Sequence, residues 1–142
     1  MRIINTFWRD VTAFGGGVVA GGLLVLTLLL DYDLFTKLFF GVLIVTGVVI
    51  LIRTFYFKNR PRKEKYSNYL EKITASSFPS LHAARITVIA LVLSNFFNMV
   101  SVTVLLILVT LLVCYSRIYL KKHDWKDILV GLLLGIVTWW FI

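Results

Sequence analysis

The chain is expected to be an all-α, polytopic membrane protein: a bundle of about five transmembrane helices forming one membrane-embedded domain over residues 1–142. Three observations carry that expectation. Hydrophobic residues fill 59% of the 142 positions and charged ones only 15%, with a mean hydropathy of +0.89, which is more apolar surface than a soluble domain of this size can hide. The apolar residues fall into runs about as long as a ~30 Å hydrocarbon core demands. The charges border those runs instead of interrupting them.

Taken in order, the first run covers residues 11–30, carries no charge and follows Arg2 and Arg9. A cleaved signal peptide competes for this segment, but the run is longer than a usual signal core and no small-residue cleavage site precedes Asp31 and Asp33, so a retained span is expected. The second span is read over residues 34–52. Residues 81–113 then form one nearly continuous apolar stretch. As a single helix it would be ~50 Å long, far beyond the ~30 Å core. A turn among Ser94, Asn95 and Asn98 divides it into spans over 81–97 and 99–115, and the last span covers 125–142. Gly17 with Gly21, and Gly131 with Gly135, have the small-xxx-small spacing that lets helix backbones approach closely.

The long connection, residues 53–80, carries Arg53, Lys58, Arg60, Arg62, Lys63, Lys65 and Lys72 against Glu64 and Glu71. Such a loop is long enough to cover a site at a membrane edge, although a solvated tether would have the same composition. Five spans put the N-terminus, this loop and residues 117–124 on one side. Of the 15 Lys and Arg residues, all but Lys37 lie on that side or in the adjoining helix turns, so the positive-inside rule calls it cytoplasmic. The net charge of +8 is matched by anionic lipid headgroups rather than nucleic acid, because the basic residues border spans and form no soluble basic face. Cys114, the sole cysteine, lies within an apolar run and reads as a packing residue; it allows neither an intrachain disulfide nor a thiolate metal site.

That one side gathers Arg53-x6-Arg60-Pro61, then Pro79-Ser80-Leu81-His82, then Ser116-Arg117-x5-His123-x3-Asp127, and these segments hold both prolines and both histidines of the chain. His123 and Asp127 are four residues apart at a helix start, so the carboxylate can reach an imidazole nitrogen, fix the tautomer and leave the other nitrogen free as a nucleophile or base. A helix-start aspartate beside an interfacial histidine would satisfy the same spacing. Ser80 reads as an N-cap with His82 in the first helical turn, where free amides and positive potential suit a phosphate; a plain cap is the simpler reading. Arg53, Arg60 and Arg117 would each snorkel to headgroups if taken singly, whereas converging they make a phosphate clamp, since the guanidinium fork binds phosphate oxygens in pairs.

Together the segments resemble the tripartite signature of the phosphatidic acid phosphatase type 2 superfamily, which includes lipid phosphate phosphatases and vanadium haloperoxidases. That signature is Lys-x6-Arg-Pro, Pro-Ser-Gly-His and Ser-Arg-x5-His-x3-Asp, and the third segment matches at every specified position. Arg53 takes the lysine slot, with Lys58 a second cation at the wrong spacing, and Leu81 takes the glycine slot.

The resemblance implies a catalytic set of His123 as nucleophile, Asp127 as its orienting partner and His82 as the acid for the leaving group. It further implies a phosphate-binding set of Arg53, Arg60, Ser80, Leu81 through its N–H, and Arg117. It calls for no cofactor and no metal. The implied activity is hydrolysis of a lipid or isoprenoid mono- or diphosphate held in the bilayer, through a phosphohistidine; the charge bias, not the resemblance, puts it on the cytoplasmic side. A lipid phosphotransferase and a non-catalytic lipid-phosphate-binding protein would use the same residues and stay open at this point, as do the lipid itself and the oligomeric state.

Overall fold

The computed structural model describes residues 2–62 and 66–142, and every regular element among them is an α-helix. Lys63, Glu64 and Lys65, counted above among the loop charges, lie outside the described residues. The elements are α1 (Arg2–Ala13), α2 (Gly17–Leu30), α3 (Tyr32–Phe55), α4 (Tyr69–Ala75), α5 (Leu81–Phe97), α6 (Val100–Tyr119) and α7 (Trp125–Trp140).

The expected first span over residues 11–30 is not one helix. It breaks at Phe14, Gly15 and Gly16, and the flanking helices are bent by 42°. Consecutive glycines make helix costly here, and one of them is required by packing. A Cβ on Gly15 would stand 3.0 Å from the Cβ and the carbonyl oxygen of His82 and from a Val113 methyl. N-terminal to the break, α1 lies along α6 with Trp8 stacked edge-on against Tyr115 and tilted against Tyr119.

Asp31 ends α2 and starts α3: its amide donates to the Thr27 carbonyl, and its carboxylate accepts from the Leu34 amide at 2.7 Å. The buried stripe of α3 runs Leu34, Leu38, Gly41, Val45, Val49 and Arg53, steps of three or four residues that keep one face toward α5. That stripe ends in a charge, so the face that packs the core also delivers Arg53 to the end of the bundle.

The division of the 81–113 stretch is narrower than expected. Ser94 and Asn95 stay helical, and the chain turns at Asn98 and Met99, with Asn98 in the left-handed region at φ 47°, a conformation asparagine tolerates well. Ser94 and Thr103 hydroxyls bond across the turn at 2.6 Å. The next helix runs past residue 115 to Tyr119, which keeps Arg117 helical, and the last ends at Trp140 rather than 142. The 53–80 connection begins only after Phe55 and contains a seven-residue helix, α4, capped by Asn68, whose side chain accepts from the Glu71 amide at 2.9 Å.

Close packing of α5 against α7 depends on glycine. A Cβ on Gly131 would lie 2.5 Å from the Ser80 carbonyl oxygen, and one on Gly135 would lie 2.6 Å from Thr87 Cβ and 2.7 Å from the Ala84 carbonyl oxygen. Where lipid replaces water, helices associate mainly through such close van der Waals approach. The Gly17/Gly21 pair does not behave this way: a Cβ on Gly17 would meet only the Arg85 guanidinium at 3.5 Å, and Gly21 faces open space. In α2 the buried positions are Ala20 and Thr27 instead.

The outward faces of α3 and α6 expose Phe40, Leu43, Leu51, Leu105, Leu108 and Leu111, among others. These two helices are long and apolar enough to cross a membrane, the bent α1–α2 pair would be a third crossing if it is one span, and α5 is a shorter apolar helix.

Candidate active site

The glycine seam between α5 and α7 sets the site's geometry. Asp127, Gly131 and Gly135 lie four residues apart on one face of α7, so the contact that seats Gly131 against Ser80 also brings Asp127 to the start of α5. The Ser80 amide donates to the Asp127 carbonyl at 3.0 Å, while the Ser80 hydroxyl caps α5 by accepting from the Ala83 amide at 3.4 Å. Leu81 opens α5 with its side chain packed against the main core, which turns its backbone, not its side chain, toward the helix terminus.

His123 follows a tight turn after α6, in which Lys121 takes φ 54° and the Lys122 and His123 amides return to the Arg117 carbonyl. The residue is 2% exposed. Nδ1 lies 2.6 Å from the Ser77 carbonyl oxygen, and since a carbonyl can only accept, Nδ1 carries the proton. The lone pair is therefore on Nε2, which lies 3.4 Å from an Arg117 guanidinium nitrogen. The direct hydrogen bond expected between Asp127 and the imidazole is not made: the nearest carboxylate oxygen stands 3.8 Å from Nδ1, and the Ser77 carbonyl takes that place. Burial, reinforced by the positive charges of Arg117 and Arg53, pulls the His123 pKa down to about 4, against the upward pull of Asp127 and the Ser77 carbonyl. The imidazole is neutral at physiological pH.

Asp127 is fully buried and well compensated. One oxygen accepts from Lys58 at 2.7 Å and the other from the Asp124 amide at 3.1 Å. Lys58 also binds both oxygens of Asp124, at 2.9 and 3.0 Å. Burial works against the charge on Lys58, but its bonds to Asp127 and Asp124 outweigh it and raise the ammonium pKa. Lys58 thus serves the carboxylates.

Ser77 reaches His123 because the long loop folds back on itself. The Ser77 amide donates to the Lys58 carbonyl at 2.8 Å, its hydroxyl to the Asn59 carbonyl at 3.3 Å, and the Ser76 hydroxyl accepts from the Lys58 amide at 3.3 Å.

The remaining cations ring this point. Arg53 is buried and donates to the carbonyls of Pro79 at 2.7 Å and Ile73 at 3.2 Å, while its buried Nε has no hydrogen-bond partner among the described residues. Arg117 is anchored on Thr12 of α1 at 3.0 Å. Arg60 donates to the Thr74 carbonyl at the end of α4 and is close enough for its charge to act on Arg53. His82, half-buried beside Gly15, lies within the fields of Arg117, Arg85 and Arg53.

All eight residues singled out from the sequence therefore fall at one end of the bundle, with Leu81 present through its backbone. The sequence reading did not single out Ser77, Thr12 and Gly15, and it set Lys58 aside by its spacing. Among the described residues no three His, Cys, Asp or Glu side chains cluster as metal donors.

A helical bundle with long apolar outward faces and a buried neutral imidazole beside Arg117, within the field of Arg53, has the make-up of an integral membrane protein with a cationic pocket at one end. Comparison with known proteins makes the class specific. The family model for the PAP2 superfamily matches residues 34–142. The fold superposes on the crystal structure of Aquifex aeolicus LpxE with a TM-score of 0.83 and 27% identity, covering 99% of this chain and 86% of that one. It also superposes on the transmembrane PAP2-type phosphatidylglycerolphosphate phosphatase from Bacillus subtilis with a TM-score of 0.68 and 22% identity, covering 99% and 75% of the two chains, a likeness of fold alone. A search of curated protein sequences returned no match. The chain belongs to the PAP2 superfamily, in its membrane lipid phosphatase branch.

Proposed function

We propose that this protein is a single-domain membrane phosphatase that hydrolyses a lipid or isoprenoid mono- or diphosphate through a phosphohistidine. The observation that carries the reading is the state of His123: buried, neutral, with Nδ1–H held by the Ser77 carbonyl and the Nε2 lone pair beside Arg117.

In this mechanism Nε2 of His123 attacks phosphorus, and the bond from phosphorus to the leaving oxygen breaks. As the anionic phosphate settles among the arginines, His82 takes up a proton, and it gives that proton to the leaving oxygen. Arg53, Arg60, Arg117, Ser80 and the Leu81 N–H bind the equatorial oxygens, where charge grows in the transition state. Asp127, 3.8 Å behind Nδ1, stabilises the positive charge the ring acquires. Water then attacks the phosphohistidine and returns a proton to His82, freeing His123 and inorganic phosphate.

In this reading the bent α1–α2 pair, α3, α5, α6 and α7 make five crossings, with the site at the bilayer edge. A lipid tail then stays among the helices while its phosphate reaches His123. The bias of basic residues supports a cytoplasmic site.

Phosphate release from a panel of short-chain lipid phosphates in detergent tests the reading. Wild type is expected to release phosphate, His123→Ala to fall to background, and His82→Ala to lose about 10²-fold or more, the usual contribution of a general acid. Equal rates for wild type and His123→Ala would overturn it.

A further inference from the structure

One charged side chain within the bundle has no part in the mechanism above. Arg85 lies one turn into α5, three residues after His82, and is only partly exposed. Its Nε donates to the Thr46 hydroxyl of α3 at 3.2 Å, and Nη1 lies beside Gly17 of α2, 3.5 Å from where a Cβ would be. No Asp or Glu among the described residues pairs with it. A cation inside an apolar helix is costly and normally has a counter-charge or a task. Snorkelling is the ordinary alternative for an arginine near a helix end. Here the side chain is tied sideways into the space between α2 and α3 instead of reaching back past Ser80 to the headgroups.

His82 and Arg85 share a face of α5, with Arg85 about 4.5 Å further along the helix axis, on the side of the bundle away from Ser80. Its charge acts on His82 and on Arg53. If His82 protonates the leaving oxygen, the leaving group must pass this face as it continues into the bilayer.

Resting on that reading of the site, we propose that Arg85 binds a second oxyanion carried by the leaving group. The preferred substrates are then lipids in which another phosphoryl group follows the scissile bond, a lipid diphosphate above all, rather than simple monophosphates. The thermodynamic logic is that of an unpaired fork: a substrate with the second oxyanion supplies the missing counter-charge in a poorly solvated place, where a charge-assisted bond is strong. Thr46 holds the guanidinium in position while leaving its terminal nitrogens to the ligand, and Gly17 leaves room for it.

The test compares farnesyl diphosphate with farnesyl monophosphate in detergent, for wild type, Arg85→Gln and Arg85→Lys. Wild type is expected to prefer the diphosphate in kcat/KM. In Arg85→Gln the diphosphate-to-monophosphate ratio of kcat/KM falls about tenfold, carried mainly by KM. Arg85→Lys recovers part of the ratio, as a point charge without the fork. A merely structural arginine would lower both substrates alike and leave the ratio unchanged, and that result would overturn the inference, as would a wild type that favours the monophosphate; in both cases the phosphatase reading stands. Release from neither substrate by wild type would overturn both.

Discussion

His123 shows how much of the chemistry is decided by one hydrogen bond. A histidine in water titrates near 6.5, but this one is pulled down to about 4 by burial and by Arg117 and Arg53. Only the neutral ring has a lone pair on Nε2, so the nucleophile is present at neutral and mildly acid pH and is lost as pH falls through about 4. In a profile of kcat/KM, which reports the free enzyme, His123 is expected to contribute no acid limb near 6.5. A limb there beyond the one that the substrate phosphate's own second ionisation at about 6 produces would show that the ring is solvated. The side chains of this constellation were legible in the sequence because each has a distinctive chemistry at a fixed spacing. Ser77 was not, because it acts through a backbone carbonyl that every residue type possesses. Lys58 was passed over for a related reason: its spacing fits no phosphate ligand, and its task of neutralising Asp127 and Asp124 exists only once the loop has folded back.

Among the elements, α5 and α7 matter most, and two glycines control their distance. Gly131→Ala would place a methyl 2.5 Å from the Ser80 carbonyl oxygen, a backbone atom that cannot rotate away. The helices must separate, with a stability loss of ~1–3 kcal/mol and, for a shift near 1 Å between Ser80 and Asp127, a drop in rate of about 10²-fold. Gly21→Ala meets nothing and is expected to stabilise α2 by ~0.5–1 kcal/mol. Thermal unfolding in detergent together with phosphate release separates these outcomes, and similar behaviour of the two variants would refute the seam. Both glycine pairs have identical spacing in the sequence. Only the identity of the neighbour distinguishes them, and that is a property of the assembled bundle. The same holds for the break at Phe14 to Gly16, hidden within an apolar run, and for α4, whose start depends on the Asn68 cap in a loop dominated by charge. The long apolar helices α3 and α6 were legible because their runs and the required bilayer thickness agree.

For the whole molecule, the N-terminal segment is more than a leading span. Residues before 34 fall outside the family match, yet Thr12 anchors Arg117 and Gly15 packs on His82, so α1 and the break after it help to build the candidate site. The proposed sidedness of the molecule rests on its charge bias. Ser67→Cys, on the exposed loop beside α4, is expected to resist impermeant thiol reagents in intact cells and to react after permeabilisation, with little background because Cys114 is buried. Labelling of intact cells would put the loop on the outer face and leave the catalytic roles unchanged.

A covalent intermediate at His123 is the central step of the proposed mechanism. Rapid quenching of wild type during turnover of a phosphate-labelled lipid, followed by peptide mapping under conditions that preserve phosphohistidine, tests it directly. The expected result is an acid-labile phosphoryl group on the peptide containing His123, absent in His123→Ala. Turnover with no label on that peptide, or label retained in His123→Ala, would contradict it.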